Sequence, residues 1–369
     1  MDPISTQLLA ASQKEQEYDG CLAVSSYNSS PYITVYPFTR ATGFGIKYSN
    51  PLNTPFGFNG SSVPGGVNFT SDGTLLSVSQ YNGQAGIAGI VIFNWSKSGG
   101  FTSSYTYLTF NGNGSAFYEP GGAITSFPSE YGSNWNYILC TYSGQIWRAH
   151  AANNYYINNT NLKSTEIGSA FTDIKFNFTR TYVLAIVGSQ YIRAYPWTDN
   201  WVYTAVNLGT PIVATSQGTG WSYGDWHPSN LVVAVGKGHT TAGLRAINFG
   251  GGWGTTINDA SSPMTNLTGV KFSASGKTIF TSSTSSPYIE AYSFNQTTGF
   301  GAKFSNPSTL PGAACYDVSV AKTNDLVAVA SSSSPYVHVY PWNDSTGFGT
   351  KYSNPSALPT GDSRAIAFM

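Results

Sequence analysis

Three aspartates and one arginine form the constellation in this chain whose placement points to chemistry. When the innermost strands of its repeats are aligned, Asp173, Asp225 and Asp317 fall at one opening position, with Gly66 and Gly269 there in other repeats and Arg364 close to it. Residues at that position converge on the mouth of a central channel. Two readings of the carboxylates stand: they could hold a cation or a polar group, or they could cap strand ends and solvate a narrow polar tunnel. Other candidate sets are weaker. His150, His227, His239 and His338 fall in different repeats without His-x-His or His-x-x-x-His spacing, so no metal-ligand set is expected. No Gly-x-Ser-x-Gly elbow and no Ser/His/Asp order stands out. Within Asp225-Trp226-His227-Pro228, strand residues two apart share a face, which places Asp225 and His227 together with no nucleophile between them. Only six arginines are present, which disfavours a cluster for a sugar carboxylate. The residues therefore predict no cofactor and no catalytic set.

The elements that position these residues are written in a repeat. Ser30-Pro31-Tyr32, Thr42-Gly43-Phe44-Gly45 and Lys47-Tyr48-Ser49-Asn50-Pro51 return as Ser286-Pro287-Tyr288, Thr298-Gly299-Phe300-Gly301 and Lys303-Phe304-Ser305-Asn306-Pro307. They return again as Ser334-Pro335-Tyr336, Thr346-Gly347-Phe348-Gly349 and Lys351-Tyr352-Ser353-Asn354-Pro355. The late copies lie 48 residues apart, and Phe44 and Phe300 lie 256 apart, room for five steps of a unit of about 50 residues. Each unit holds short runs rich in Val, Ile and Tyr, bounded by Gly, Pro, Ser and Asn, and none has a helical period. The unit is a four-stranded meander. Its innermost strands are expected at Gly66–Thr70, Gly122–Phe127, Thr172–Phe176, Tyr223–His227, Thr268–Ser273 and Tyr316–Val320, one fewer than the seven second and seven third strands. The alternation of residues 364–368 fits the missing strand. Closure of the first unit by the far terminus predicts an all-β, single seven-bladed propeller over residues 18–369 with no open seam.

Val270-Lys271-Phe272-Ser273-Ala274-Ser275-Gly276-Lys277-Thr278-Ile279 and Val67-Asn68-Phe69-Thr70-Ser71-Asp72-Gly73-Thr74-Leu75-Leu76 resemble WD40-type propellers. The resemblance is one of architecture. Tyr340-Pro341-Trp342 and Tyr195-Pro196-Trp197 stand where a Trp-Asp pair would close the third strand, so the buried tetrad of that family is not implied.

Composition sets further bounds. Charged residues make up 9% of the chain, with 17 of each sign, so clustered Lys and Arg for nucleic acid or an acidic membrane are missing. Residues 1–20 lack the basic start and apolar core of a secretory signal, and synthesis in a cytoplasm is expected. The cysteines Cys21, Cys140 and Cys315 are odd in number and lie in different repeats, as buried thiols would. Before the first repeat, Asp2 and Pro3 mark a helix start, with Ile4, Leu8 and Ala11 on one face through Gln16. A helix this short needs docking, on its own propeller or on a neighbouring chain, and a disordered arm is the third option.

Low charge, abundant Gly, Ser, Thr, Asn and Tyr, and Ser-Pro-Tyr and Thr-Gly-Phe-Gly blades are similar to WD40-like repeats of tailed-bacteriophage virion proteins. That resemblance implies a non-enzymatic structural component at a capsid-decorating, collar or tail position. Its partners would be other virion proteins, docked through Ile4, Leu8 and Ala11. Two alternatives accompany it: an adhesin module binding a host surface glycan, and an enzyme resembling lactonase-type propellers with a metal among Asp173, Asp225 and Asp317.

Overall fold

The computed structural model describes residues 19–369 apart from 28–29, 52–61, 71–72, 83–86, 112–124, 129–135, 143–144, 152–159, 163–170, 180, 188–190, 197–211 and 215–218. The expected arm with Ile4, Leu8 and Ala11 lies outside the described residues, as do residues 122–124 of one expected innermost strand. The described residues contain no helix and form seven four-stranded antiparallel sheets in a propeller-like arrangement.

Numbered from the N-terminal end, the sheets have innermost strands Ser363–Phe368 in sheet 1, Ser62–Phe69 in sheet 2, Thr125–Pro128 in sheet 3 and Phe171–Phe176 in sheet 4. Trp221–Trp226, Leu267–Phe272 and Cys315–Val320 follow in sheets 5, 6 and 7. Each innermost strand touches the next, and Ser363–Phe368 touches both Ser62–Phe69 and Cys315–Val320. Sheet 1 mixes the two ends of the chain: Leu22 pairs with Phe368, Ala23 with Ala367, Val24 with Ile366 and Ser25 with Ala365.

Burial follows from stacking sheets face to face. A second strand such as Leu326–Ser331 is buried at every position, because each of its faces meets a different neighbouring sheet. Val232 and Ala234 enter the core shared with sheet 6, whereas Val233 and Val235 enter the core shared with sheet 4. The outermost strand Trp253–Asp259 is largely exposed, and its residues are correspondingly polar.

The repeated motifs are the joints between sheets. Gly43, Gly100 and Gly347 have φ of 76°, 75° and 83°, and each lies beneath an aromatic ring of the preceding sheet: Tyr352, Tyr48 and Phe304. A Cβ there would come within 2.9–3.2 Å of that ring. Only glycine meets both demands. Phe44 and Phe348 pack against the cores and Phe300 is buried, so the turn aromatics face inward. Tyr36 and Tyr340 are buried between sheets as expected, and their hydroxyls donate to the carbonyls of Ala357 and Thr309 at 2.6 and 2.9 Å. Those bonds pin the segments that lead into the next innermost strands.

Candidate active site

A bulge near the start of the innermost strands decides which residues face the axis. Register slips between Phe171 and Asp173, Trp221 and Tyr223, Leu267 and Gly269, and Cys315 and Asp317. It slips again between Ser363 and Ala365. The extra residues are Thr172, Ser222, Thr268, Tyr316 and Arg364, one unpaired residue at the same place in five sheets. Beyond them, alternation is regular: Val270, Val318 and Ile366 enter the core shared with the preceding sheet. The residues between them face the following sheet along the inner edge, where Asp173, Lys175, Lys271, Asp317 and Ser319 stand and where Ala365 and Ala367 join a core.

Counted from the bulge, Asp173 and Asp317 stand at the first channel level with Tyr223, Gly269 and Ala365. Asp225 stands at the second level with Lys175, Lys271, Ser319 and Ala367. The expected single ring of Asp173, Asp225 and Asp317 is therefore corrected to two carboxylates at one level and one a level deeper. The bulge between Trp221 and Tyr223 puts Trp221 in the core shared with sheet 4 and Tyr223 against the core shared with sheet 6. Arg364 lies in the bulge itself, one step outside Asp317.

All three carboxylates bridge to the following sheet. Asp173 accepts the N–H of Ile174 at 2.9 Å and of Gly224 at 3.0 Å. Asp317 repeats the pattern with Val318 at 2.8 Å and Ile366 at 3.0 Å. One level deeper, Asp225 accepts the N–H of Phe272 at 2.8 Å, and Ser319 Oγ accepts that of Phe368 at 3.1 Å. Neighbouring innermost strands share no backbone ladder, so the N–H groups on their open edges need these side-chain acceptors. Lysines occupy the place of the postulated cation. Lys175 Nζ lies 3.4 Å from Asp173 and 4.0 Å from Asp225, and donates to the Val270 carbonyl at 3.2 Å. Lys271 Nζ lies 3.6 Å from Asp225. Among the described residues, no group of three or more His, Cys, Asp or Glu could hold a metal. A metal among the three aspartates thus does not fit this geometry.

Electrostatics separate the groups. Burial works to lower Lys175, but Asp173, Asp225 and Asp317 outweigh it and hold the ammonium above its ordinary range. Burial pushes the Asp317 carboxyl up to about 6, against the N–H groups of Ile366 and Val318 and the charges of Lys175 and Lys271. Outside this level, the Arg364 guanidinium lies 3.9 Å from the ring centre of Tyr316 and 4.9 Å from that of Tyr27, with Asp362 at 3.3 Å. Its Nε is buried without a hydrogen-bond partner among the described residues.

Sequence reasoning missed Lys175, Lys271, Tyr27 and Tyr316. The available signal was a lysine two residues after Asp173 and another inside the apolar strand Leu267–Phe272, where a charge must face a wet channel. The histidines with described partners are structural: His227 contacts Ser229 Oγ at 2.7 Å and the Gly276 carbonyl at 3.2 Å, and buried His338 contacts Ser331 Oγ at 3.2 Å.

No family model matches the chain, and no curated protein is similar to it in sequence. Among solved structures, it is similar to a protein from Bacteroides fragilis assigned as a 6-phosphogluconolactonase, at 14% identity and a TM-score of 0.67, over 97% of this chain and 99% of that one. A protein from Bacteroides uniformis with the same assignment is 12% identical at a TM-score of 0.61, over 95% and 99%. The periplasmic gluconolactonase of Pseudomonas aeruginosa is 13% identical at 0.63, over 95% and 99%. At these identities the likeness is one of fold. The expectation of a non-enzymatic virion protein is nevertheless overturned: these near full-length matches are named for lactone hydrolysis, and none of the three is a phage component.

Proposed function

We propose that this chain hydrolyses sugar lactones at the mouth of a channel enclosed by seven blades, the ring being closed by the strand Ser363–Phe368. The observation that carries this reading is Asp317, a carboxyl bonded to the N–H of Ile366 on the neighbouring strand that bears Arg364, with burial pushing it up to about 6. Such a group suits general acid–base work near neutral pH. As carboxylate it takes a proton from water while the water oxygen bonds to the lactone carbonyl carbon. The carbonyl oxygen gains negative charge, and Arg364 supplies a cation to stabilise it. When the ring carbon–oxygen bond breaks, Asp317 returns the proton to the leaving ring oxygen, and the product is an open-chain hydroxy acid. The names of the similar structures support a lactone substrate, and the lysine-filled channel supports a mechanism carried by side chains.

The test is acid release from glucono-δ-lactone above the spontaneous rate. The base must be ionised, so activity should rise with pH through about 6. Asp317→Asn should lower kcat by about 10²-fold or more; the amide oxygen can accept one of the two backbone N–H groups that Asp317 holds, so a melt of the variant separates lost chemistry from lost fold. A parent protein that leaves the spontaneous rate unchanged ends the reading.

A further inference from the structure

The hydrolase reading leaves open whether the lactone carries a phosphate, and the charges lining the channel bear on that point. The seven innermost strands contain three carboxylates, Asp173, Asp225 and Asp317, and three cations, Lys175, Lys271 and Arg364. The lining is neutral overall. Lys175 is engaged with Asp173 and Asp225 and Lys271 with Asp225, which leaves Arg364, beside Asp362 and two tyrosine rings, as the cation of these strands that can meet the lactone carbonyl. The loops at 260–266, 284–288, 304–314 and 332–336, which reach the same end of sheets 6 and 7, contain no lysine or arginine. Among these described strands and loops, a phosphate dianion would find no cluster of free cations of the kind that recognises it.

What the mouth offers instead is hydroxyl groups. The bulge position carries Thr172, Ser222, Thr268 and Tyr316 in four sheets, with Arg364 in the fifth. Ser222 is buried, whereas Thr172 Oγ1 donates to the Ile186 carbonyl at 3.3 Å, and Thr268 Oγ1 donates to the Cys315 carbonyl at 2.6 Å and lies 3.1 Å from Ser282 Oγ. With their protons so directed, these oxygens retain lone pairs to accept hydrogen bonds from a polyol. We infer that the substrate class is an uncharged polyhydroxylated lactone, not a phosphorylated one. The inference rests on the hydrolase reading and specifies the substrate of the same site.

The experiment compares kcat/KM of the full chain for glucono-δ-lactone and for its 6-phosphate, each at 20 and 200 mM NaCl. A preference of about tenfold or more for the uncharged lactone, insensitive to salt, is expected, since steering by a charged site would appear as a salt-dependent rate of that order. Equal or faster turnover of the 6-phosphate, slowed by salt, overturns this inference and leaves the hydrolase reading standing. If neither lactone is turned over above the spontaneous rate, the reading falls and takes the inference with it.

Discussion

At the scale of single residues, two buried titrating groups work against each other, and the signs can be separated. His338 is 3% exposed, and burial, reinforced by Lys351, lowers its pKa to about 4. Between about pH 6.5 and 4 the unfolded chain binds the extra proton. The His338 contribution to stability is therefore full above pH 6.5 and lost as pH falls through 4, a loss on the order of 3 kcal/mol. Asp317 has the opposite sign. Its folded pKa of about 6 lies above the ordinary carboxylate value, so its contribution is full below about pH 4 and lost as pH rises through 6. The two offset one another across pH 4 to 6. Thr34 occupies the His338 position in sheet 1, so His338→Thr is a substitution the fold already tolerates elsewhere. Thermal melts at stepped pH should show a shallower acid-side fall in stability for His338→Thr and a steeper one for Asp317→Asn. Parallel shifts of both variants would mean that neither group titrates as its burial dictates.

Among the elements, the joint between sheets 6 and 7 depends on one side chain. Asp344 accepts hydrogen bonds from Ser275 Oγ at 2.8 Å, Thr278 Oγ1 at 3.0 Å, Asn324 Nδ2 at 2.9 Å and Trp342 Nε1 at 2.8 Å. Two of these donors belong to sheet 6 and two to sheet 7. Asp344→Ala would leave four donors without their acceptor at a partly buried site and should cost about 2 to 4 kcal/mol in urea unfolding. Asp344→Asn keeps one acceptor oxygen and should cost less; equal costs would show that packing, not the carboxylate, holds the joint. This cluster was not legible in the sequence, because its members come from separate turns and share no spacing. The meander, by contrast, was legible, since Val327, Val329, Val337 and Val339 are apolar for the plain reason that both faces of their strands are buried. The Gly-Phe and Lys-Tyr motifs were visible as repeats, but their physical cause, the ring of one sheet over the glycine of the next, needed coordinates. The bulges were hidden for a different reason: an extra residue such as Ser222 changes the phase of a strand without changing its composition. Only with the bulge located does Asp225, three residues past it, separate from Asp173 and Asp317, each one residue past theirs.

For the whole molecule, the decisive feature is that its last strand serves two cores. Ile366 and Phe368 pack with Leu22, Val24, Tyr36, Phe38 and Ala328 on one side of sheet 1, while Ala365 and Ala367 pack with Val67, Phe69 and Leu76 on the other. Burying Ile366 and Phe368 contributes about 3 to 6 kcal/mol. That is a large part of the 5 to 15 kcal/mol that holds a typical domain together, before the ladder to Leu22–Ser25 is counted. Removing residues 363–369 should therefore abolish the single cooperative unfolding transition instead of merely lowering its midpoint. The strand needs to be present, but it need not be the last segment synthesised. The N–H of Met369 donates to the carbonyl of Cys21 at 2.9 Å, so residue 369 already lies beside the start of the described chain. A permutant that joins residue 369 to residue 19 through a short glycine linker would keep every pairing of sheet 1. New ends fit at the Gly250–Gly252 turn, where a Cβ on Gly250 or Gly252 would meet nothing within 4 Å. The expected result is cooperative melting in the permutant and its loss in the truncation. If the truncated chain melts as sharply as the parent, the ring does not depend on its closing strand. The levels that place Asp317 on the strand next to that of Arg364 would then need another explanation.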